Sequence, residues 1–275
     1  MASIKSVYTK PAGALDRLGE ELAFYVRALI AAPRSIKRYP KEILRILAEV
    51  TLGSGALAVI GGTVGVILAM TFFTGAQVGL SGYAALDQLG TAPFAGFVSA
   101  YFNTREIAPL VAGIALAATV GCGFTAQLGA MRISEEVDAL EVMAIPSMPF
   151  LVTTRIVGGL IAIIPLYVVG LLSSYFATRL TVTQFFGQSA GTYDHYFNLF
   201  LPPGDVLWSF GKVLVFAVAV ILIHCYHGYN AGGGPAGVGV AVGRAVRTSI
   251  VAVNVIDLFL SMAIWGSSTT VRLAG

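Results

Sequence analysis

The chain has 275 residues, of which 56% are hydrophobic and only 11% are charged, and it contains 32 glycines. A surface of that composition cannot be kept hydrated, so it excludes an ordinary soluble domain and indicates an integral membrane protein. The formal net charge of +3 favours contact with anionic lipid headgroups, and no nucleic-acid partner is expected because no nucleic-acid-binding motif is present. Cys122 and Cys225 lack CxxC spacing, which favours packing residues over a disulfide or a metal pair.

The first predicted element is an amphipathic helix in the N-terminal segment, residues 1–49. Its apolar positions recur at helical spacing: Leu15, Leu18, Leu22, Val26, Leu29 and Ile30. Beside a membrane such a helix lies in the interface plane, and the bases that follow it meet lipid headgroups. A solvated cytoplasmic helix is the alternative. The segment has no early apolar run, so no cleavable signal peptide is expected.

Four charge-free runs and a fifth run that is apolar except for Asp257 predict five membrane-spanning helices in residues 50–275, because roughly 20 helical residues cross the ~30 Å hydrocarbon layer. The predicted spans lie near 50–73, 107–131, 156–178, 213–227 (with a start near 206) and 248–270. Residues 74–104 are expected to form a re-entrant or extracytoplasmic connection, since they are rich in glycine and interrupted by Asp87 and Pro93. The predicted fold class is therefore all-α and polytopic.

Basic residues set the expected orientation of these spans. The segment before the first span carries nine lysines and arginines. Four further arginines fall in loops on the same side: Arg132, Arg155, Arg244 and Arg247. Three fall on the other side: Arg105, Arg179 and Arg272. The positive-inside rule therefore predicts a cytoplasmic N-terminus.

Two glycine-containing patterns match enzyme motifs without the surroundings that those motifs need. GGGPAG, residues 232–237, satisfies GxGxxG but follows a membrane span and not a strand of a βαβ unit. GQSAG, residues 187–191, satisfies GxSxG and has Asp194 and His195 nearby, yet a nucleophile elbow requires a strand-to-helix turn on an α/β sheet. Neither pattern predicts a catalytic site.

His224 and His227 are three residues apart at the inner end of the fourth predicted span. No third or fourth ligand is close in sequence except Cys225, which points elsewhere on the helix, so interfacial histidines are favoured over a metal site. The chain also lacks a GxxxxGK[ST] phosphate-binding loop. Any drive from ATP must therefore come from a partner protein.

The segment MRISEEVDALEVMAIPSMP, residues 131–149, is the acidic exception in this apolar chain. Its carboxylates fall within seven residues: Glu135, Glu136, Asp138 and Glu141. Ser134 is expected to cap a short helix whose first turn places Glu135 and Glu136 at the positive end of the helix dipole. Pro146 is expected to end the helix, and eleven residues would give about 16 Å. Apolar residues on another side of this helix favour docking on a partner over a solvated turn.

The same segment resembles the central motif of the MlaE/YrbE permease family, the membrane subunits of lipid-transporting ABC systems that work with MCE proteins. REIAP, residues 105–109, resembles the RELGP of the family, and CYHGYNAGGGPAGVGVAVGRAVRTS followed by Asp257 resembles its C-terminal signature. The resemblance implies a permease subunit, not an enzyme, with no cofactor. It places the permease domain at residues 50–275, in the bacterial inner membrane.

The resemblance implies two sites. The acidic segment would be a coupling helix that docks on a cytoplasmic ATPase dimer through Ser134, Glu135, Glu136, Asp138 and Glu141. A pocket for a lipid or fatty acid is expected near Arg105 and Glu106, at the outer end of the second span, with an apolar wall that includes Phe72, Phe73 and Tyr101. Asp257 lies in the last span and should face protein, with Asn254 or a donor on another helix as its partner.

The chain departs from the family where relatives carry an arginine and a glutamate eight residues apart. Thr119 and Gln127 stand there instead, and losing both charges avoids an unpaired charge in the membrane. This suggests one half of an unlike pair, as in actinobacterial Mce systems, so the expected partners are a second, non-identical permease, the ATPase and an MCE assembly. An ion-coupled secondary transporter built around Asp257 and an intramembrane hydrolase remain as alternatives, although no inverted repeat is visible.

Overall fold

The computed structural model describes the backbone of residues 5–52 and 62–266, and the side chains of residues 16, 18–51 and 62–266. Within these ranges the chain is helical and contains no β-strand, which confirms the all-α class. The beginning of the first predicted span and Arg272 lie outside the described residues.

We number the helices of the described part in chain order. They are α1 Lys5–Ile30, α2 Ala32–Arg38, α3 Pro40–Leu52, α4 Thr63–Gln88, α5 Ala92–Ile133, α6 Glu136–Val142, α7 Met148–Phe185, α8 Ala190–Leu199, α9 Pro203–Tyr229 and α10 Gly234–Trp265. Five of them are long and apolar enough to cross a membrane: α4, α5, α7, α9 and α10. The number of spans agrees with the sequence prediction, whereas several boundaries do not.

The predicted connection at residues 74–104 is wrong. Residues 74–88 complete α4 and residues 92–104 begin α5, so only three residues separate the two helices. The glycines of this stretch serve close helix packing: a Cβ on Gly75 would lie 2.4 Å from the carbonyl oxygen of Ser174 on α7. Pro93 stands in the first turn of its helix, where a missing N–H costs nothing.

Replacing Gly75 by alanine is expected to destabilise the chain, because the new Cβ meets backbone that cannot turn aside. Overpacking of this kind typically costs about 1–3 kcal/mol. Gly123→Ala is the matched control, since no heavy atom lies within 4 Å of its Cβ position and alanine favours the helix. The measurement is the apparent melting temperature in one detergent, and equal values for the two variants would contradict the packing argument.

The last span starts much earlier than predicted. α10 begins at Gly234, so most of the expected loop at residues 228–247 is helical. The turn into it is made by Gly233 and Gly234, whose φ angles of 83° and 71° are in the left-handed region that glycine tolerates. Pro235 then occupies the first turn of the helix. GGGPAG is therefore the tight link between two spanning helices.

The N-terminal helix α1 packs on the membrane domain through one side. The Phe24 ring lies 5.4 Å from the Tyr226 ring of α9, and the Thr153 hydroxyl of α7 donates to the carbonyl oxygen of Ala28 at 3.1 Å. The predicted apolar stripe is exposed at the positions whose side chains are described: Leu18, Leu22, Val26, Leu29 and Ile30. Exposed apolar residues beside a membrane domain are the arrangement that an interfacial helix needs.

Candidate functional site

The acidic segment folds into a shorter helix than predicted. α6 has seven residues, or roughly 10 Å. Ser134 is not its N-cap: Glu135 precedes the helix in a left-handed conformation with φ 62°, and the Ser134 hydroxyl bonds the Ala130 carbonyl oxygen and the Glu136 carboxylate, both at 3.0 Å. The helix ends at Val142 and not at Pro146, because the chain reverses at Ala144, whose φ is 57°.

The exposed surface of α6 combines carboxylates with an apolar tip. Glu135, Glu136 and Asp138 are exposed, and Asp138 forms an ion pair with Arg132 at 2.7 Å. The last residue of α6 and the one after it are unusually exposed for apolar residues, with Val142 at 88% and Met143 at 61%. An apolar tip rimmed by charge is typical of a surface that docks on another protein.

Glu141 differs from the other three carboxylates because its hydrogen bond leads from α6 to a spanning helix. It accepts a hydrogen bond from the Ser147 hydroxyl at 2.6 Å, and Ser147 lies 2.7 Å from the Tyr229 hydroxyl at the end of α9. Since a serine has a single hydroxyl proton, Tyr229 is the donor in the second bond. The Tyr229 ring lies 5.7 Å from Phe24 of α1. α1, α6 and the link between α9 and α10 therefore lie on the same face of the membrane domain.

A buried ionic cluster lies nearer the other face. Its first pair joins α5 to the start of α9, with Arg105 Nε 2.7 Å from Asp205 Oδ2. The guanidinium carbon of Arg105 lies 4.0 Å from the centroid of the Tyr101 ring, within cation–π distance. Trp265 at the end of α10 donates its indole N–H to the other Asp205 oxygen at 3.1 Å. Arg105 is thus enclosed within one long helix bundle, not set at the outer end of the second span.

The second part of the cluster is centred on Lys212 of α9, whose residue exposure is 1%. Its ammonium lies 2.8 Å from Asp257 and 3.3 Å from Glu106, and it donates to the Arg105 carbonyl oxygen at 2.7 Å. Pro109, four residues later, has no N–H that would compete for this carbonyl. The REIAP sequence therefore supplies two charged side chains and one backbone acceptor to the cluster.

Of the two partners considered for Asp257, the structure shows a donor on another helix, Lys212. Asn254 is exposed and donates to the Ile250 carbonyl oxygen at 2.8 Å instead. Ser261 completes the cluster, since it accepts from Lys212 at 2.8 Å and donates to Glu106 at 2.7 Å. Two cations and three carboxylates thus tie α5, α9 and α10 together, and each buried charge has an opposite charge in contact.

The sequence prediction missed Asp205 and Lys212. Lys212 directly precedes the predicted span at 213–227, and a lysine at the edge of a span normally reaches water. The sequence did contain a signal for Lys212. A carboxylate within a span, such as Asp257, needs a cation, and Lys212 is the basic residue nearest to the charge-free run of the fourth span. The structure does not bring Phe72 or Phe73 into the described contacts of this cluster. They form an edge-to-face pair on α4, and Phe73 is 70% exposed.

Gln127 lies between two charged side chains from other helices. Its amide donates to the Glu49 carboxylate of α3 and accepts from Arg155 Nη2 of α7 at 3.2 Å. Arg155 is buried, and its other terminal nitrogen donates to the Leu151 carbonyl oxygen at 2.7 Å. The neutral amide therefore bridges a carboxylate and a guanidinium, while Thr119 bonds its own helix at 2.7 Å.

Replacing Gln127 by leucine is expected to lower stability, because it leaves the buried Arg155 with one polar partner fewer. An unsatisfied buried group costs about 1–3 kcal/mol, and more when it is charged. Gln77→Leu is the control, since Gln77 is exposed and bonds only Ser81 on its own helix. Melting temperatures of the two variants in one detergent test this, and a Gln127 variant no less stable than the control would contradict it.

His224 is fully buried, so its predicted interfacial position is wrong. Its ring nitrogens lie 2.8 Å from the Thr125 hydroxyl and 3.2 Å from the Ser249 hydroxyl, which joins α5, α9 and α10. Gly121 makes room for the ring, because a Cβ there would lie 2.6 Å from it. This histidine therefore acts as a packed hydrogen-bonding bridge.

Asp194 and His195, two residues of the possible hydrolase site, contact other side chains. Arg179 donates to both oxygens of Asp194 at 2.8 Å, and this pairing lowers the pKa of the Asp194 carboxyl below its usual value. The His195 ring packs edge-on against Tyr196. Asp194 therefore serves to tie α8 to the end of α7.

Five spanning helices, a buried ionic cluster in three of them and an exposed acidic helix on one face define a multi-pass membrane protein. The family model described as Permease MlaE matches residues 53–263. The chain therefore belongs to the MlaE permease family, as its central motif indicated, and it is a permease and not an enzyme.

Three curated relatives match between 72% and 89% of the chain. A probable ABC transporter permease protein of Rickettsia bellii is 28% identical over 246 residues, which cover 89% of this chain and 92% of that protein. The intermembrane phospholipid transport system permease protein MlaE of Haemophilus influenzae is 27% identical over 241 residues, covering 87% and 88%. The chloroplastic protein TRIGALACTOSYLDIACYLGLYCEROL 1 of Arabidopsis thaliana is 29% identical over 203 residues, covering 72% and 57%.

Proposed function

We propose that this chain is the transmembrane permease subunit of an ABC-type transporter that moves a lipid or fatty acid. A separate ATPase dimer drives it and an MCE assembly exchanges the lipid on the outer side. Membership of the MlaE family and the phospholipid-transport relative support the substrate class. In this proposal residues 1–49 are the interfacial segment and residues 50–275 the permease domain of a bacterial inner membrane protein with a cytoplasmic N-terminus.

The observation that carries the coupling proposal is the position of α6. Its exposed surface holds Glu135, Glu136 and the apolar Val142, which suit a groove on a cytoplasmic ATPase. On the inner side, Glu141 and Ser147 tie it to Tyr229 at the end of α9. A movement of α6 caused by ATP would therefore act directly on a spanning helix.

α9 connects this coupling surface to the ionic cluster. Tyr229 ends the helix near α6, and Asp205 and Lys212 lie toward its other end, where they pair with Arg105 and Asp257. A helix is a rigid element that can carry a displacement between two sites. We infer that displacement of α9 rearranges the ion pairs and so changes the lipid site near them.

Arg105, Glu106 and Tyr101 are the proposed polar end of the lipid site, and Phe72 and Phe73 its more distant apolar wall. Asp205 binds two nitrogens of Arg105, Nε and Nη2, and within the described chain no partner is seen for Nη1. In the proposal this nitrogen binds an anionic headgroup. Because the cluster already holds three carboxylates against two cations, the headgroup competes with Asp205 for the guanidinium of Arg105.

Native mass spectrometry of the complex purified through a tag on this chain tests the proposal. We expect one copy of this chain, a second permease of different mass, two ATPase subunits and bound lipid. The unlike partner is proposed because Thr119 and Gln127 replace the family's charged pair. A chain recovered with neither an ATPase nor lipid would favour the secondary transporter, and a homodimer with the ATPase would refute only the unlike partner.

A further inference from the structure

A polar cleft of about 670 Å³ lies where α1 meets the linked ends of α9 and α10. Its charged lining residues are Glu20 and Glu21 from α1 and Arg244 from α10. His227 and Asn230 at the end of α9 add further polar groups. None of these residues belongs to the coupling surface or to the ionic cluster. The cleft therefore carries both signs of charge and has no role in the function proposed so far.

A separate groove of about 430 Å³ lies between α9 and α10, and its lining is wholly apolar. Val218 and Leu222 form one wall, Ala252 and Ile256 the other, and Tyr25 of α1 closes one end. Both walls are spanning helices, so the groove faces the hydrocarbon region of the membrane. Its volume is within the ~300–1,000 Å³ that is usual for ligand sites.

Tyr25 stands between the two cavities. Its ring lines the apolar groove, its hydroxyl donates to the Glu21 carboxylate in the cleft, and its ring is 6.1 Å from that of Tyr226, which also lines the cleft. Leu222 is seven residues before Tyr229, or ~10 Å along the helix axis. The groove therefore runs from the polar cleft toward the middle of the membrane, on the face that carries α1 and α6.

We propose that cleft and groove together bind one phospholipid with an amine-bearing, zwitterionic headgroup, drawn from the leaflet on the α6 side. An acyl chain fills the groove between α9 and α10. Arg244 binds the phosphate, and the two carboxylates of α1 bind the ammonium group, so the charges of cleft and headgroup match. A headgroup with only negative charge would meet Glu20 and Glu21 and is disfavoured.

This inference rests on the proposed function only in treating the chain as a lipid permease, and it concerns a site on the other membrane face from Arg105. The site near Arg105 is too far from α6 to bind lipid at the coupling face, whereas the cleft and groove lie on that face. A lipid held beside α9 at the coupling face is next to the helix that α6 displaces. The site is thus placed to load or release lipid on the side where ATP acts.

The test uses the purified full chain in detergent, incubated with an equimolar mixture of phosphatidylethanolamine and phosphatidylglycerol that carry the same acyl chains. Native mass spectrometry then counts the retained lipids, without the ATPase. The lipid that is lost on Ala252→Trp reports this site alone, because that substitution lies in the groove and leaves the site near Arg105 unchanged. We expect the lost lipid to be amine-bearing about tenfold more often than anionic, the ratio that one hydrogen bond to a charged group provides. Equal loss of the two lipids would overturn the headgroup assignment.

Matched variants separate the parts of the site. Ala252→Trp fills the groove and is expected to remove the lipid bound there, whereas Val255→Trp, at an exposed position one turn on, should not. Arg244→Gln should lower retention and Arg247→Gln, equally exposed on the same helix, should not. The Arg244 variant changes only a surface residue, so a folding defect does not confuse its result. Unchanged retention in Ala252→Trp or in Arg244→Gln would overturn the proposal.

A double variant tests the ammonium site. Glu20→Gln with Glu21→Gln should abolish the preference for the amine-bearing lipid while total lipid retention stays, and Asp16→Asn on the same helix should leave the preference intact. A preference that survives in the double variant would overturn the role of the two carboxylates. Because the ATPase is absent throughout, a failure here leaves the coupling proposal standing, and a failure of coupling leaves this result standing.

Discussion

Replacing Lys212 by methionine is expected to unfold or severely destabilise the chain. Methionine matches the apolar stem of lysine but removes the cation that Asp257 and Glu106 share. Removing one partner of a buried ion pair typically costs about 3–5 kcal/mol, because the other charge remains buried and uncompensated. The apparent melting temperature in detergent and the yield of monodisperse protein measure the effect.

A second substitution makes this prediction specific. Lys212→Met combined with Asp257→Asn removes one charge of each sign, so the double variant should recover part of the stability that the single variant loses. Lys41→Met is the control for loss of a surface lysine, and it should leave the melting temperature nearly unchanged. A Lys212 variant as stable as the Lys41 variant would show that the ion pairs of the cluster do not stabilise the fold.

Charge reversal on α6 has the second large effect. Glu135→Lys with Glu136→Lys is expected to abolish co-purification of the ATPase while the chain stays folded and inserted, because both side chains are exposed and exposed charges contribute little to folding stability. The readout is ATPase recovered in a pull-down through a tag on this chain, next to its melting temperature.

Asp16→Lys with Glu20→Lys is the matched control, since it makes the same change of charge at exposed positions of α1 on the same membrane face. This control should keep the ATPase. Loss of the ATPase in both double variants would indicate a general electrostatic effect, and its retention in both would remove α6 from the docking surface.

The elements that follow from hydrophobicity alone could be predicted from the sequence. Four charge-free runs and a fifth run with the single charge of Asp257 predicted the five spanning helices, and the acidic segment became a separate exposed helix. The boundaries could not be predicted, because glycine signals a loop in a soluble chain but a close helix contact in a membrane. Gly75 and Gly79 lie inside α4, where they contact α7.

The candidate site could be predicted only where a single residue requires a partner. A carboxylate in an apolar run, such as Asp257, must pair with a donor, and REIAP indicated charge at Arg105 and Glu106. The identity of the donor that pairs with Asp257 depends on the packing of α9 against α10, a long-range contact that no local pattern encodes. The cap of α6 failed for a local reason: Ser134 still bonds the preceding turn, so the break falls one residue later, at Glu135.

Gln127 shows a further limit of reasoning from a motif. Its neutrality was interpreted as the loss of a charged pair, and the contacts show instead that an amide can serve a carboxylate and a guanidinium together. The partners come from α3 and α7, far away in sequence. Only a description of three packed helices could identify them.

The most direct test of coupling through α6 is site-specific photo-crosslinking in native membranes. A benzophenone side chain at position 142, where Val142 is 88% exposed, should form an adduct with the ATPase subunit. The control is position 207, where Leu207 is 74% exposed near the opposite end of the bundle, and it should form none. An ATPase adduct from position 142 alone is the predicted result. No adduct from position 142, or equal adducts from both positions, would contradict the account.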